Sequence, residues 1–448
     1  MRLCTKTADC LPDDVLRGGY DRDSQAIGIV HFGIGAFHRA HQAWYTDLAL
    51  SAGDRNWLIC GVSLRSPAVS EQINPQDGLY TLTERTGDTA STRLIGAVRE
   101  VLFAPSQAEQ VIARIADKAC HIVSLTVTEK GYARGDGNRL DRAKARETFY
   151  PLLASGLAAR RAAGLPGVTI LPCDNLADNG GVLAELVRQW LETEDPALRK
   201  WFDSECRVPS TMIDRIVPRT SAADLGQIEE RIGMQDAGAT FTEPFSQWVI
   251  QDHFAGPRPV WERHGAKIVA DVTPYETAKL RMLNGAHSLL AYCGLRAGYE
   301  YVHEAVGDPA LRELAECLMR REALPTISPA KGQDLAAYAD ALFRRFADPA
   351  LRHRLDQIAM DGTQKIPQRW LDTIVDLSRK GLDHSAISTG FEAWLWHLND
   401  RRFVNDPFGA ELMGLMSSGG TAQVVKRCLS ETESADPIWA GYRHVSLM

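Results

Sequence analysis

The 448-residue chain is poor in several features, and each shortage closes off a class of function. No stretch approaches eighteen apolar residues, so no membrane span is expected. The opening "MRLCTKTADCLPDDVLRGGY" has no apolar centre of the kind a secretion signal carries, so no signal peptide is expected. There is no excess of positive charge. Lys and Arg number 50 against 57 Asp and Glu, a net charge of −7, which argues against nucleic acid or an anionic membrane as the main partner. A local basic pocket for a small anion is still compatible with that balance. The nine cysteines are scattered and form no CxxC pair, which fits reduced thiols in the cytoplasm. There is neither an HExxH motif nor a Cys/His cluster, so an enzyme with this sequence is expected to work without zinc and no metal ligands are assigned.

What is present is a globular composition. Hydrophobic residues make up 45% and charged residues 24%, enough for two or three domains with real cores. Residues 27–41, "IGIVHFGIGAFHRAH", run from an apolar stretch through two glycines into a helical pattern: strand, turn, helix. Further apolar strands are predicted at 57–64, 121–132, 168–181 and 210–218, with a helix between them at 181–201. Short apolar strands alternating with helices predict an α/β domain with a mainly parallel sheet. After about residue 271 the pattern becomes helical, at 274–297, 308–322, 332–346 and 349–359. This predicts two domains, 1–270 for dinucleotide binding and 271–448 for a mostly α-helical substrate and catalytic domain. The Arg/Ala-rich stretch 157–167 reads as a solvated helix face and its stop.

Gly33-Ile34-Gly35 follows a strand and precedes a helix. In that context glycine lets the backbone approach a pyrophosphate at a helix N terminus. His38 stands where a third glycine is usual. The second strand ends Leu64-Arg65-Ser66, without the carboxylate that would bind a ribose. Arg65 could meet a 2′-phosphate, stack on adenine, or be an ordinary exposed arginine, so NAD and NADP both stay open.

The helix at 274–297 carries polar residues where a core helix wants leucine. At about 100° per residue from Lys279, Glu276 falls near about 60°, His287 near about 80° and Asn284 near about 140°, among Leu280, Leu283 and Leu290. Thr273, Pro274 and Glu276 also read as a capping box at the helix start, a structural role for Glu276. Oxidising a secondary alcohol requires a hydride acceptor and a base. A desolvated lysine can be that base, and asparagine amides can donate to the developing oxyanion.

These stretches resemble the long-chain polyol dehydrogenase family, which contains mannitol 2-dehydrogenases and fructuronate reductases (D-mannonate oxidoreductases). The resemblance rests on "GIGAFHRAHQA", "TVTEKGY", "CDNLADNG", "MIDRIVP", "EPFSQWVIQDHF", the K-x4-N-x2-H helix and "QIAMDGTQKIPQR", in that order over about residues 27–410. It implies an expanded Rossmann-type N-terminal domain and a helical C-terminal domain. It implies Lys279 as general base, Asn175 and Asn284 as oxyanion donors, and Glu276 as a carboxylate associated with proton release. It implies His287, Asp214 and Lys365 as substrate contacts. Gly33, Gly35, Phe37 and Arg39 in the turn, with Arg65, are the cofactor-binding candidates. The expected activity is NAD(P)-dependent oxidation or reduction at a CH–OH group, with reduction of D-fructuronate to D-mannonate the preferred reading. Mannitol 2-dehydrogenase or a D-arabinitol-type activity is the near alternative, and a non-catalytic dinucleotide sensor the distant one. The resemblance further implies a small-molecule polyol or sugar-acid substrate and a monomer or weak oligomer.

Overall fold

The computed structural model describes residues 1–87, 89–135, 139–400, 404–430 and 436–445. They form two compact units, Met1–Val272 and Thr273–Met448. Among the described residues no helix is long and apolar enough to cross a membrane. All nine cysteines are free thiols.

Among its described residues the first unit has eleven strands: β1 (Ile27–Phe32), β2 (Leu58–Ser63), β3 (Tyr80–Thr86), β4 (Thr89–Ile95), β5 (Val98–Phe103), β6 (Ile122–Leu125), β7 (Thr169–Pro172), β8 (Thr211–Asp214), β9 (Thr240–Thr242), β10 (Gln247–Gln251) and β11 (Lys267–Val269). Five of them make a parallel sheet in the order β5-β2-β1-β6-β7. Their near-continuous apolar runs follow from burial on both faces. Val30, Phe32, Val123 and Leu125 enter one core, while Ile29, Ile59, Ile122 and Leu171 enter the other. From β1 the chain moves outward to β2 on one side and later to β6 on the other. The ends of β1 and β6 are therefore the point where strand order reverses, and open α/β sheets bind ligands there.

Two three-stranded sheets, β4-β3-β9 and β11-β10-β8, extend this unit and were not expected. β3 and β4 form an antiparallel hairpin from half-polar residues such as "YTLTERT", which lack the apolar runs that reveal buried strands. Other expectations need correcting. The strand expected over 121–132 ends at Leu125, and a short helix, Thr128–Gly131, follows. The helix expected over 181–201 is two helices, Asn179–Glu194 and Pro196–Glu205, because Pro196 cannot continue the first and Asp195 caps the second. In 157–167, Arg160 is not solvated. It is fully buried and donates to the carbonyls of Pro166, Ile115 and Asp117, so it pins a helix to neighbouring loops.

The second unit is helical. Its centre is Gly285–Ala297, buried continuously from Gly285 to Cys293 and Gly294 and packed against Ser385–Asp400. An all-round apolar helix of this kind belongs inside a bundle. Three π-helical segments occur among the described residues of this unit: Lys279–Asn284, Leu318–Ala323 and Pro367–Leu371. The helix expected over 349–359 is instead a 3-10 turn, Pro349–Leu351, and one helical turn, Leu355–Ile358. Between them Arg352 takes φ +23°, which no helix interior allows.

Candidate active site

In the first unit the candidates lie where strands end. Gly33 takes φ +89°, and a Cβ there would stand 2.1 Å from the Thr126 carbonyl oxygen, so only glycine fits. The turn is tied to β6: Thr126 Oγ1 donates to the Gly33 carbonyl at 2.7 Å and lies 2.8 Å from His31 Nε2. Gly35 precedes the helix Ala36–Ala40 and is exposed. A Cβ there would find its nearest neighbour at 3.8 Å, so its bare backbone faces open space that a phosphate can enter. Phe37 is half-buried and stacks on His41, with centroids 5.0 Å apart. Arg39 turns inward: it is 6% exposed and its Nε donates to Thr240 Oγ1 at 3.3 Å. Arg65 is exposed in the bend after β2.

Asn175 is exposed in the bend after β7, and Asp214 is the buried last residue of β8, opposite Gln247 of β10. The neighbouring Arg215 forms its ion pair with Glu84 and lies over the Trp44 ring. A further group here escaped the sequence reading. Thr128 holds φ +63°, unusual for a β-branched residue. Its N–H and that of Val127 donate to the Asp174 carboxylate at 2.7 and 3.2 Å. Burial pushes the Asp174 carboxyl up to about 6 against those two donors. Asp174 thus clamps the strained turn after β6 beside Asn175.

In the second unit the helix starting at Thr273 changes pitch at Lys279. A π turn takes about 4.4 residues, so the five steps from Lys279 to Asn284 rotate by about 50° past a full turn, not about 140°. Three α-helical steps then bring His287 to within about 10° of Lys279. The π turn therefore gathers Lys279, Asn284 and His287 into an arc of about 60°, with Glu276 at its edge. All three are buried, at 8%, 7% and 7% exposure. Asn284 Nδ2 and His287 Nε2 have no hydrogen-bond partner within the protein. Buried polar atoms are nearly always paired, so two unpaired ones on a single stripe suit a polar guest. Glu276 is half-buried.

Lys365 sits on the short helix Gly362–Ile366, after Asp361 at φ +55°, and Nζ donates to the carbonyls of Met360 at 2.6 Å and Ile358 at 3.3 Å. Arg369 donates to Ser288 Oγ at 2.8 Å and to the Asn284 carbonyl at 3.3 Å. His353 stands edge-on to His287. Burial, then His353, Arg369, Arg345 and Lys279, hold the His287 imidazole well below its usual range, so it is neutral. Arg345, His353 and Arg369 were missed in the sequence, having no motif of their own. Among the described residues no three His, Cys, Asp or Glu side chains gather as a metal site.

A glycine turn at the reversal point of a parallel sheet, followed by a helical unit with a lysine, amide and imidazole stripe, defines the class: an oxidoreductase with a Rossmann-type unit. Residues 27–263 match the family model for the mannitol dehydrogenase Rossmann domain, and residues 271–435 that for the mannitol dehydrogenase C-terminal domain. The chain is 41% identical over 397 residues to D-mannonate oxidoreductase of Escherichia coli (strain K12), covering 85% of this chain and 82% of that protein. It is 35% identical over 430 residues to mannitol 2-dehydrogenase of Pyrenophora tritici-repentis, covering 90% and 76%. Its fold is similar to that of Pseudomonas fluorescens mannitol 2-dehydrogenase, solved as a ternary complex with NAD and D-mannitol, with a TM-score of 0.85, 33% identity, and coverage of 99% of this chain and 96% of that one. The chain belongs to the mannitol dehydrogenase family.

Proposed function

We propose that this protein is an NAD-dependent oxidoreductase that interconverts a ketone and a secondary alcohol on a sugar acid or polyol, acting in the cytoplasm. The observation that carries the reading is the stripe of Lys279, Asn284 and His287, with two buried nitrogens unpaired inside the protein. Gly33, Gly35, Phe37 and Arg65 are assigned to holding NAD, whose fit is supported by the open backbone face at Gly35. Arg39 is assigned a supporting part in shaping the turn, through Thr240. The bound nicotinamide supplies the hydride acceptor or donor. The remaining work falls to the chain's own side chains.

Lys279, as the neutral amine, takes the hydroxyl proton in oxidation and returns it in reduction. Asn284 donates its amide N–H to the oxygen as negative charge builds, and Asn175 is assigned the same role. Neutral His287 hydrogen-bonds a substrate hydroxyl through Nε2. Asp214 accepts from hydroxyls, Lys365 binds a negative or hydroxyl group, and Glu276 relays the proton from Lys279 outward.

Reduction of D-fructuronate to D-mannonate is the preferred reaction, supported by the 41% identity to D-mannonate oxidoreductase. The alternatives are a mannitol 2-dehydrogenase or D-arabinitol-type activity, favoured by the fold similarity to a mannitol 2-dehydrogenase, and a dinucleotide sensor. Initial rates with D-fructuronate, D-fructose, D-mannonate, D-mannitol and D-arabinitol, each with both dinucleotides, separate them. The expected result is the highest kcat/KM for D-fructuronate with NADH. Saturation by fructose without response to fructuronate reverses the order, and NAD binding without turnover of any substrate leaves the sensor.

A further inference from the structure

The turn after β6, residues 126–128, meets two segments of the first unit that carry assigned site residues. On one side it lies against the cofactor turn. A Cβ on Gly33 would stand 2.1 Å from the Thr126 carbonyl oxygen, and Thr126 Oγ1 donates to the Gly33 carbonyl at 2.7 Å. The Thr126 hydroxyl is steadied by His31 Nε2 at 2.8 Å. His31 Nδ1 lies 2.8 Å from Ser124 Oγ, which donates to Gln42 Oε1 at 2.7 Å.

On the other side the turn is gripped by Asp174, which is 7% exposed. Oδ1 accepts from the Thr128 N–H at 2.7 Å, and Oδ2 accepts from the Val127 N–H and the Tyr132 hydroxyl, each at 3.2 Å. The Asp174 carbonyl is held as well, by the Leu176 N–H at 2.9 Å and by Asn179 Nδ2 at 3.0 Å. Asn179 is fully buried. Its Nδ2 also donates to the Thr211 carbonyl at 2.8 Å, and its Oδ1 accepts from the Thr211 N–H at 2.9 Å. The segment with Asn175 is thereby pinned between the turn after β6 and β8, the strand that ends in Asp214.

Thr128 takes φ +63°, a conformation that a β-branched residue keeps only where its surroundings enforce it. The enforcing group is a carboxylate in a dry position, where burial opposes its charge. A turn needed for folding alone could use glycine at 128 and a neutral acceptor at 174. Both unfavourable choices fall at the reversal point of the sheet, where strain of this kind sets the geometry of a ligand site.

We propose that Asp174 is a positioning residue for hydride transfer: by clamping the turn at Thr128 it fixes Thr126 against the cofactor-binding Gly33 and holds Asn175 in register with that turn. The inference rests on the oxidoreductase reading above and goes beyond it, since it assigns a task to a residue that acts through its neighbours.

The test is Asp174→Asn, alone and combined with Thr128→Gly. Each protein is assayed well below its melting temperature, with the substrate of highest kcat/KM among those named above, and is titrated with NAD. Asparagine keeps the shape of the side chain but has one acceptor oxygen, so one of the turn N–H groups faces an amide N–H instead. The expected result is a fall in kcat of about 10- to 100-fold at saturating substrate and cofactor, as a small misplacement produces, with NAD Kd weakened about 3- to 10-fold. Glycine accepts φ +63° without strain, so Thr128→Gly lets the turn keep its shape without the clamp and should restore at least about threefold in kcat. A purely structural clamp would lower the melting temperature and leave kcat of the folded protein unchanged. Folded Asp174→Asn with kcat within about twofold of wild type, or a double variant no faster than Asp174→Asn, overturns the proposal. If Asp174→Asn does not fold, Thr126→Val decides, because it cuts the link between the turn and Gly33. NAD Kd must then weaken at least about fivefold, and an unchanged Kd overturns the proposal. Wild type that turns over none of the substrates strikes the oxidoreductase reading itself, and NAD Kd in Asp174→Asn then decides the clamp alone.

Discussion

The turn after β1 in the first unit and the helix that opens the second unit both bury a histidine near backbone of unusual geometry, and they use it differently. His31 commits both ring nitrogens, to Ser124 Oγ and Thr126 Oγ1, each at 2.8 Å, and burial holds it down to about 3. His38, stacked on it at 3.4 Å, is held by the ring contact and has neither nitrogen paired within the protein. His287 is equally neutral, but Nε2 has no partner in the fold, and the stripe it shares includes a second unpaired nitrogen on Asn284. His31 and Thr126 spend their polar groups on the shape of the turn, whereas Asn284 Nδ2 and His287 Nε2 are held in reserve on the helix, at a cost in stability that a bound substrate recovers. The backbone devices differ as well: a left-handed glycine shapes the turn, and a π segment aligns the stripe.

Mutations should therefore separate the two regions, hitting turnover in the helix and folding or cofactor binding in the turn. After the loss of Lys279 itself, the largest effect is expected from Asn284→Ala. It removes an oxyanion donor and should lower kcat by about 10²–10³. It also removes a buried amide nitrogen that has no partner within the protein, so its melting temperature should match or exceed that of wild type. A matching drop in stability would show that Asn284 serves the fold.

Gly33→Ala comes next. Its Cβ would stand 2.1 Å from the Thr126 carbonyl oxygen at a left-handed φ, so a loss of about 1–3 kcal/mol is expected in denaturant titrations, together with weaker NAD binding. Unchanged stability with unchanged NAD affinity would remove the turn from the account.

The smallest effect concerns a carboxyl in the second unit outside the stripe. Glu322 accepts from the N–H groups of Ala386 and Ile387 at the start of Ser385–Asp400, and burial raises it from 4.5 to about 7. A raised folded value means that the native state binds the extra proton. The stability it confers is full below about 4.5 and is lost as pH rises through about 7. Glu322→Gln should gain on wild type across that window and level off above it, as read by melting temperature at several pH values. A constant difference across the window would contradict the sign.

Much of this was legible in the sequence, for physical reasons. β1, β2, β6, β7 and β8 announced themselves as apolar runs because they are buried on both sides or lie next to strands that are. The β3–β4 hairpin did not, since its polar threonines and glutamate hide the strand period. Lys279, Asn284 and His287 stood out as polar residues on an apolar helix. Their true alignment did not, because a 3.6-residue period cannot reveal a π turn. Arg345 and His353 were invisible: one ends a helix, and the other sits in the break at Arg352, where a continuous helix had been expected. Arg160 was misread because a guanidinium in an Arg/Ala-rich helix gives no sign that loop carbonyls surround it.

The central claim is that Lys279 moves the proton. Lys279→Ala, measured for kcat with the preferred substrate and for NAD affinity in the same preparation, tests it most directly. The account predicts loss of at least about 10²–10⁴ in kcat with NAD affinity within about twofold of wild type. Wild-type kcat in that variant would contradict it.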